Sequence, residues 1–203
     1  MNVKNSCSLF LSIILFSSCS MTGPPSTTTD VCKIFKEKKS WYKAAKKTEE
    51  RWNIPISVTM AIIKQESSFV ADAKPSRKKL LGFIPWKRQS TAKGFAQAID
   101  GTWEMYLEER GRWFKSRNDF DDAVDFIGWY NSKSVKNLNI KNNNARVLYL
   151  AYHEGREGYK KGSYRAKPWL LVVADKVQRQ TERYNRQYQS CKKKLGRKFL
   201  IFF

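Results

Sequence analysis

One carboxylate occupies a position suited to acid catalysis. Glu66 ends the apolar part of the segment Ala61 to Phe69, whose sequence is AIIKQESSF. Ile62 and Ile63 precede it by four and three positions, so on a helix they share its face and shield its carboxyl from water. Desolvation and the negative end of the helix dipole both raise the pKa of a carboxyl group. The pattern therefore predicts a general acid near neutral pH, with an ordinary solvent-exposed glutamate as the alternative.

Three separated segments of the chain together carry a family resemblance. They are Gln65-Glu66-Ser67 with Phe69, Gly94-Phe95-Ala96-Gln97 leading to Gly101-Thr102-Trp103, and Ala151-Tyr152-His153-Glu154-Gly155. Their order and separations resemble the Glu-Ser, Gly-Leu-Met-Gln and Ala-Tyr-Asn-x-Gly motifs of the lytic transglycosylase (SLT-type) domain related to goose-type lysozyme. The resemblance covers residues 50 to 190. Within the family, the chain resembles most closely a subgroup of small lipoproteins with LLGFIPW and YHEG segments.

The resemblance implies cleavage of peptidoglycan by a single catalytic residue. Glu66 would protonate the glycosidic oxygen between N-acetylmuramic acid and N-acetylglucosamine, and its carboxylate would then remove the proton from the muramoyl 6-hydroxyl. That hydroxyl attacks C1 and closes a 1,6-anhydro ring, so no metal ion or organic cofactor is implied. The candidate substrate-binding residues are Gln97, Tyr152, His153 and Ser67.

Each of these four candidates also has a structural interpretation. The resemblance implies that Tyr152 hydrogen-bonds near Glu66, whereas a tyrosine in an apolar helix can be a core residue with a satisfied hydroxyl. Gln97 would contact sugar or amide groups, or bond backbone at the start of a helix. Ser67 is expected to stabilise the backbone or the helix end rather than to perform chemistry. His153, the only histidine, is expected to contact a sugar or to act as a structural donor, not to bind a metal.

The chain departs from the family pattern at two places. Position 153 is His where the motif has Asn, and Glu66 and Gln97 are 31 positions apart, which implies an insertion at 77–88. The apolar LLGFIPW stretch of this insertion predicts a wall of the glycan groove, a membrane contact or a lid packed on the core. Asp125 is a reserve second carboxylate, with an exposed helix face as the alternative.

The first residues of the chain predict export. Residues 1–18 are expected to be a signal peptide, because Lys4 precedes an apolar run too short to span a bilayer. Cys19 follows as the expected lipid-modified first residue of the mature chain, with plain secretion as the alternative. Residues 19–31 are expected to be a lipid anchor and flexible tether. Ser20 in place of aspartate after Cys19 favours an outer-membrane lipoprotein that faces the periplasm.

Cysteine parity predicts one crosslink. Cys32 and Cys191 are the two cysteines that remain once Cys7 leaves with the signal and Cys19 is acylated. In an oxidising periplasm such a pair favours a disulfide that joins the N-terminal segment to the last helix. Two buried free thiols are the alternative.

The charge of the chain favours polyanionic partners. The formal net charge is +21, and loss of Lys4 with residues 1–18 leaves +20. For an exported chain the polyanions at hand are peptidoglycan, with its peptide carboxylates, and anionic lipid, so we expect no nucleic acid partner. A merely soluble, well-charged surface is the alternative. The sequence indicates no protein partner.

The periodicity predicts a single all-α domain over residues 32–191. The resemblance implies that this domain is lysozyme-like. No alternating strand pattern of convincing length is present. The tail, residues 192–203, is basic and apolar, and it is expected to be a frayed end or a membrane-surface segment. The expected helices run from Trp41 to Trp52, from Pro55 through Glu66, from Asp100 to before Gly111, from Asp119 to Tyr130, from Asn144 to a stop at Gly155, and from Lys167 to Gln189.

Two other functions are compatible with the same domain. One is a muramidase-type hydrolase that leaves reducing ends. The other is a noncatalytic envelope lipoprotein that binds peptidoglycan without cleaving it.

Overall fold

The structure is a computed structural model that describes residues 23–80, 84–88, 90–111 and 113–197. The predicted signal peptide, the lipidation site Cys19, the centre of the insertion and the last six residues of the tail lie outside the described residues. Among the described helices, none is long and apolar enough to cross a bilayer.

Helices form nearly all of the regular structure in the described parts of the chain, so the prediction of an all-α domain is confirmed. One β-hairpin interrupts the helices. The elements are α1 (Val31–Glu37), α2 (Lys39–Trp52), α3 (Ile56–Ser67), β1 (Arg77–Leu80), β2 (Ile84–Arg88), α4 (Asp100–Arg110), α5 (Phe120–Leu138), α6 (Ala145–Lys161), a short 3-10 helix (Ser163–Ala166) and α7 (Pro168–Arg197).

The hairpin was not expected from the sequence. β1 and β2 pair antiparallel, with Leu80 opposite Ile84 and Lys79 opposite Pro85, and the register is irregular between Arg77 and Lys79. Strands of four and five residues are too short to show a clear alternation, and a proline within the second one argues against a strand. Pro85 is accommodated because a two-stranded sheet consists of edge strands only.

Helix α3 is the centre of the domain. Its residues from Ile56 to Ile63 are all buried, and it packs against α2, α5 and α7. A helix that is buried on every side has no solvated face. Glu66 lies beyond this buried stretch, at the C-terminal end of α3, and its side chain lines a cleft.

Three helices continue beyond their predicted ends. The last of them, α7, was expected to end at Gln189 but runs to Arg197, so the predicted tail is helical up to that residue.

The other two are α5 and α6. The fourth predicted helix was expected to stop at Tyr130, but α5 continues to Leu138, because the buried face that includes Ser134 extends past that tyrosine. Gly155 was expected to stop the next helix. It instead forms a kink inside α6, after which the helix resumes and ends at Lys161.

The segment before α1 lies against the domain rather than forming a free tether. Pro25 is buried, the Tyr184 hydroxyl of α7 donates to the Thr28 carbonyl, and Gln187 Nε2 donates to the Thr29 carbonyl at 3.1 Å. The part of the predicted tether that the structure describes, residues 23–30, is therefore held on the domain from Pro25 onwards, with α7 as its partner at Thr28 and Thr29.

A disulfide reinforces this attachment. Cys32 of α1 is bonded to Cys191 of α7, with 6.1 Å between the two Cα atoms and a separation of 159 positions in sequence. The pairing is the one that cysteine parity favours. Because the closed loop contains almost the whole domain, the bridge restricts the unfolded chain strongly.

Replacement of both cysteines is expected to destabilise the domain. Cys32→Ser/Cys191→Ser should lower the free energy of unfolding by about 2–5 kcal/mol, since the unfolded chain regains the entropy that the crosslink removes. Urea denaturation of the oxidised wild type and of the variant measures this difference. Reductant should lower the wild-type midpoint towards that of the variant, and an unchanged midpoint would contradict a stabilising bridge.

Candidate active site

Glu66 lies in the last turn of α3 and lines a cleft of about 440 Å3. Ile62 and Ile63, on the preceding turn, are fully buried. Burial raises the pKa of Glu66 to about 7, while a hydrogen bond with Tyr149 opposes that rise. Near neutral pH the carboxyl therefore exists in both its protonated and its ionised form, which suits a group that donates a proton and then accepts one.

The chain turns sharply after Glu66, and aromatic packing fixes that turn. Ser68 and Phe69 have positive φ values of 49° and 66°, and the buried Phe69 ring stacks on Trp41 at a centroid distance of 5.8 Å. Trp41 also contacts Phe95, in the segment that contains the second motif, at 5.5 Å. One indole ring therefore fixes two of the three motif segments relative to each other.

The tyrosine that bonds Glu66 is Tyr149, not Tyr152. Tyr149 is hydrogen-bonded to the Glu66 carboxyl, whereas the Tyr152 hydroxyl donates to the Ala96 carbonyl at 2.6 Å. Burial, together with the nearby charge of Glu66, raises the pKa of both tyrosines, so both hydroxyls remain protonated. The expected contact of Tyr152 with Glu66 is thus replaced by a bond that fixes the second motif. Tyr149 precedes Tyr152 by three positions, and this helical spacing is the signal that could have revealed it.

The second motif forms a tight loop that Gln97 stabilises from within. Gly94 has φ 78°, and a Cβ there would lie 1.9 Å from the Arg117 carbonyl oxygen, so only glycine fits. Gln97 Nε2 donates to the carbonyls of Ala73 and Gly94 at 2.9 and 2.8 Å. Gln97 lines the cleft, but its amide nitrogen bonds backbone, which is the structural interpretation that the sequence left open.

The third motif shapes the other side of the cleft. Gly155 has φ 74° and ψ 157° inside α6, a conformation that is essentially restricted to glycine. The resulting kink lies where Tyr152, His153 and Glu154 line the cleft beside Glu66. The kink explains why this motif requires a glycine in the middle of a helix.

Glu154 is a second carboxylate of the cleft that the sequence did not identify. Its side chain is only 3% exposed, and it is hydrogen-bonded to Lys167 Nζ at 2.7 Å, to His153 Nδ1 at 2.9 Å and to the Ser163 hydroxyl. Burial alone would raise the pKa of Glu154, but these bonds from Lys167, Ser163 and His153 outweigh it and lower the pKa to about 2. Glu154 therefore remains ionised wherever Glu66 titrates.

Two sequence candidates do not line the cleft. The Ser67 hydroxyl donates to the Ile63 carbonyl at 3.2 Å and is buried, so it stabilises the end of α3 and is not placed to touch a substrate. Asp125 is buried, pairs with Arg51 at 2.8 Å and accepts the Tyr106 hydroxyl at 2.7 Å. It is neither a second catalytic carboxylate nor part of an exposed helix face, and it joins α2, α4 and α5 in the core.

A helical domain with a half-buried glutamate of raised pKa at a cleft is typical of the lysozyme-like class of glycan-cleaving proteins. The chain belongs to the transglycosylase SLT domain family, whose family model matches residues 7–191. This family implies a glycan-cleaving enzyme that acts on peptidoglycan in the cell envelope. No curated protein and no solved structure matched the chain significantly.

Glu66→Gln is expected to stabilise the protein at alkaline pH. The pKa of Glu66 in the folded protein is about 7, above the value of about 4.3 for an exposed glutamate. Folding thus disfavours the ionised form, and stability present at low pH is lost as the pH rises through about 7. At about 1.4 kcal/mol per pKa unit, the free energy of unfolding at alkaline pH should be on the order of 4 kcal/mol higher in the variant. Urea denaturation on either side of neutrality measures this.

Glu154→Gln provides the matched control, with the opposite sign. The pKa of Glu154 is lowered to about 2, so the stability it contributes is present above the unfolded-state pKa and is lost as the pH falls through the folded-state value. This variant should be destabilised at neutral pH. Equal effects of Glu66→Gln in acid and alkali would contradict the raised pKa of Glu66.

Proposed function

We propose that the protein is a peptidoglycan lytic transglycosylase that cleaves the β-1,4 bond between N-acetylmuramic acid and N-acetylglucosamine and leaves 1,6-anhydro ends. The contrast between the two carboxylates of one cleft carries this proposal. The pKa of Glu66 is about 7 and that of Glu154 is about 2. Glu66 is the one of the two that can both donate and accept a proton near neutral pH.

In the proposed mechanism Glu66 acts twice. It first donates its proton to the glycosidic oxygen, and the bond between C1 of the muramoyl ring and that oxygen breaks. Its carboxylate then removes the proton from the muramoyl 6-hydroxyl, whose oxygen bonds to C1, so the acid is regenerated without water. The Tyr149 hydroxyl, which stays protonated, donates to the Glu66 carboxylate between the two steps and stabilises its charge.

Hydrolysis is the second candidate, because a two-carboxylate mechanism needs an ionised partner in the cleft and Glu154 is one. Its environment argues against that role. Oε1 of Glu154 is bonded to Lys167 and His153, Oε2 is bonded to Ser163, and the side chain is 3% exposed. A carboxylate so enclosed cannot reach C1 or activate a water molecule without breaking its own hydrogen bonds. The substrate's own 6-hydroxyl is the more accessible nucleophile.

Product analysis tests the reaction directly. Purified protein incubated with isolated sacculi should release muropeptides with 1,6-anhydro ends, each lighter by one water than the hydrolysed product, and mass spectrometry distinguishes the two. Glu66→Gln should reduce the release about 10²- to 10⁴-fold, because the general acid is lost. Glu154→Gln should keep the anhydro product at a lower rate. Reducing ends would establish the hydrolase instead, and wild-type turnover by Glu66→Gln would remove the mechanism.

We also propose that Cys19 is acylated and anchors the domain to the outer membrane from its periplasmic side. The family's place of action in the envelope and the sequence around Cys19 support this. Because the chain is attached to the domain from Pro25, only five residues lie between that proline and Cys19, and the six steps from one Cα atom to the next span at most about 20 Å when fully extended. The domain would then act on glycan close to the membrane.

Cell fractionation tests the anchor. Cys19→Ser should move the protein from the membrane fraction to the soluble periplasmic fraction, because the lipid chains that hold it are no longer attached. Cys7→Ser, which changes a cysteine within the predicted signal, should leave the protein in the membrane fraction. A Cys19→Ser protein that stays in the membrane would contradict anchoring through this residue.

A further inference from the structure

Trp169 is a large aromatic side chain that remains exposed beside the cleft. It lies in the first turn of α7, and 55% of its surface is exposed. The centroid of its ring system lies 5.2 Å from that of the His153 imidazole, with 76° between the ring planes. Since His153 lines the cleft, the indole continues the surface of the cleft onto α7.

The two rings are held in place by a buried carboxylate. Glu154 bonds His153 through Nδ1 at 2.9 Å and bonds Lys167 through Nζ at 2.7 Å. Lys167 is two residues before Trp169, and Pro168, between them, restricts the backbone where α7 begins. The positions of the imidazole on α6 and the indole on α7 are thus coupled through Glu154, so the pair is preformed rather than assembled by a ligand.

The chemistry of the pair suits a sugar ring. An exposed indole offers a flat apolar surface, which the C–H face of a pyranose ring covers well. Because Glu154 is ionised and accepts the bond from His153, a neutral imidazole carries its proton on Nδ1 and has Nε2 as an acceptor. Acetamido N–H groups and hydroxyls are the donors that an N-acetylated sugar provides. Val172, one helical turn after Trp169 and 65% exposed, is not part of this pair of rings.

We propose that Trp169 and His153 form a sugar-binding subsite at the margin of the cleft. In this subsite the indole packs against one N-acetylated sugar ring of the glycan strand, and Nε2 of His153 accepts a hydrogen bond from that sugar. The subsite rests on the proposed function for the identity of the polymer. Its binding can nevertheless be measured without any cleavage.

The test uses two readouts. In a Glu66→Gln background, binding of peptide-free glycan strands is measured by isothermal titration calorimetry, with and without Trp169→Ala. We expect the Trp169→Ala change to raise the Kd about 3- to 10-fold, as loss of one aromatic contact should. In otherwise wild-type protein the same change should raise KM for sacculi by a similar factor and leave kcat within about twofold.

Three further variants control for fold and for general surface effects. Trp169→Phe should retain most of the affinity because it keeps an aromatic face, whereas Trp169→Leu should lose it although apolar bulk remains. Val172→Ala, on the same exposed face, should change the Kd less than twofold. Thermal denaturation checks that each variant is folded.

The outcomes separate the subsite from the proposed function. If Trp169→Ala changes the Kd for peptide-free strands less than twofold relative to the Glu66→Gln protein, the subsite is overturned. This holds whether or not the protein cleaves sacculi. A loss of affinity for whole sacculi alone would assign the contact to the peptide stems and would also overturn the sugar assignment. If the wild type released no anhydro product while Trp169→Ala weakened glycan binding, the function would fail and the subsite would stand.

Discussion

Removal of the Glu66 carboxyl from water, at the end of a helix that is buried on all sides, is the constraint on which the site depends. Helices α2, α5 and α7 enclose α3, and its core residues leave it no solvated face. This arrangement lowers the free energy of unfolding at alkaline pH, because burial opposes ionisation of a carboxyl group whose pKa is about 7. An active site that holds a group in an unfavourable charge state makes the group reactive, but it also lowers the stability of the fold. The disulfide and the aromatic contacts of Trp41 offset that loss elsewhere in the fold.

The three motifs meet at Glu66 mainly through bonds to backbone. Gln97 fixes its own loop through two carbonyls, and Tyr152 connects α6 to the same loop through Ala96. These contacts define the walls of the cleft, and they leave Tyr149 as the direct partner of the carboxyl. Most motif residues are therefore responsible for the shape of the site, and few act on the proton. This distribution explains how side chains far apart in sequence keep one carboxyl in a fixed environment.

The parts of the site that the sequence could predict are those determined locally. Ile62 and Ile63 lie within one turn of Glu66, so the dry environment of that carboxyl follows from helical spacing alone. Helical spacing places Tyr149 on the same face as Tyr152, but which of the two tyrosines bonds Glu66 depends on how α6 packs against α3. Gly155 illustrates the same limit within one helix. A glycine near a helix end usually terminates it, and only the packing of α6 after the kink shows that the helix continues.

Helix α7 connects the cleft with the end of the domain to which the N-terminal segment is attached. Trp169 lies in its first turn, and Gln187, which bonds that segment through Thr29, lies 18 residues further on. At 1.5 Å per residue these positions are about 27 Å apart along the helix axis. If Cys19 is the anchor, the cleft is thus separated from the anchored end by most of the length of a rigid helix, and the chain from Cys19 to Pro25 adds at most about 20 Å. In that arrangement α7 and the short chain before Pro25 would together determine how far the cleft lies from the membrane.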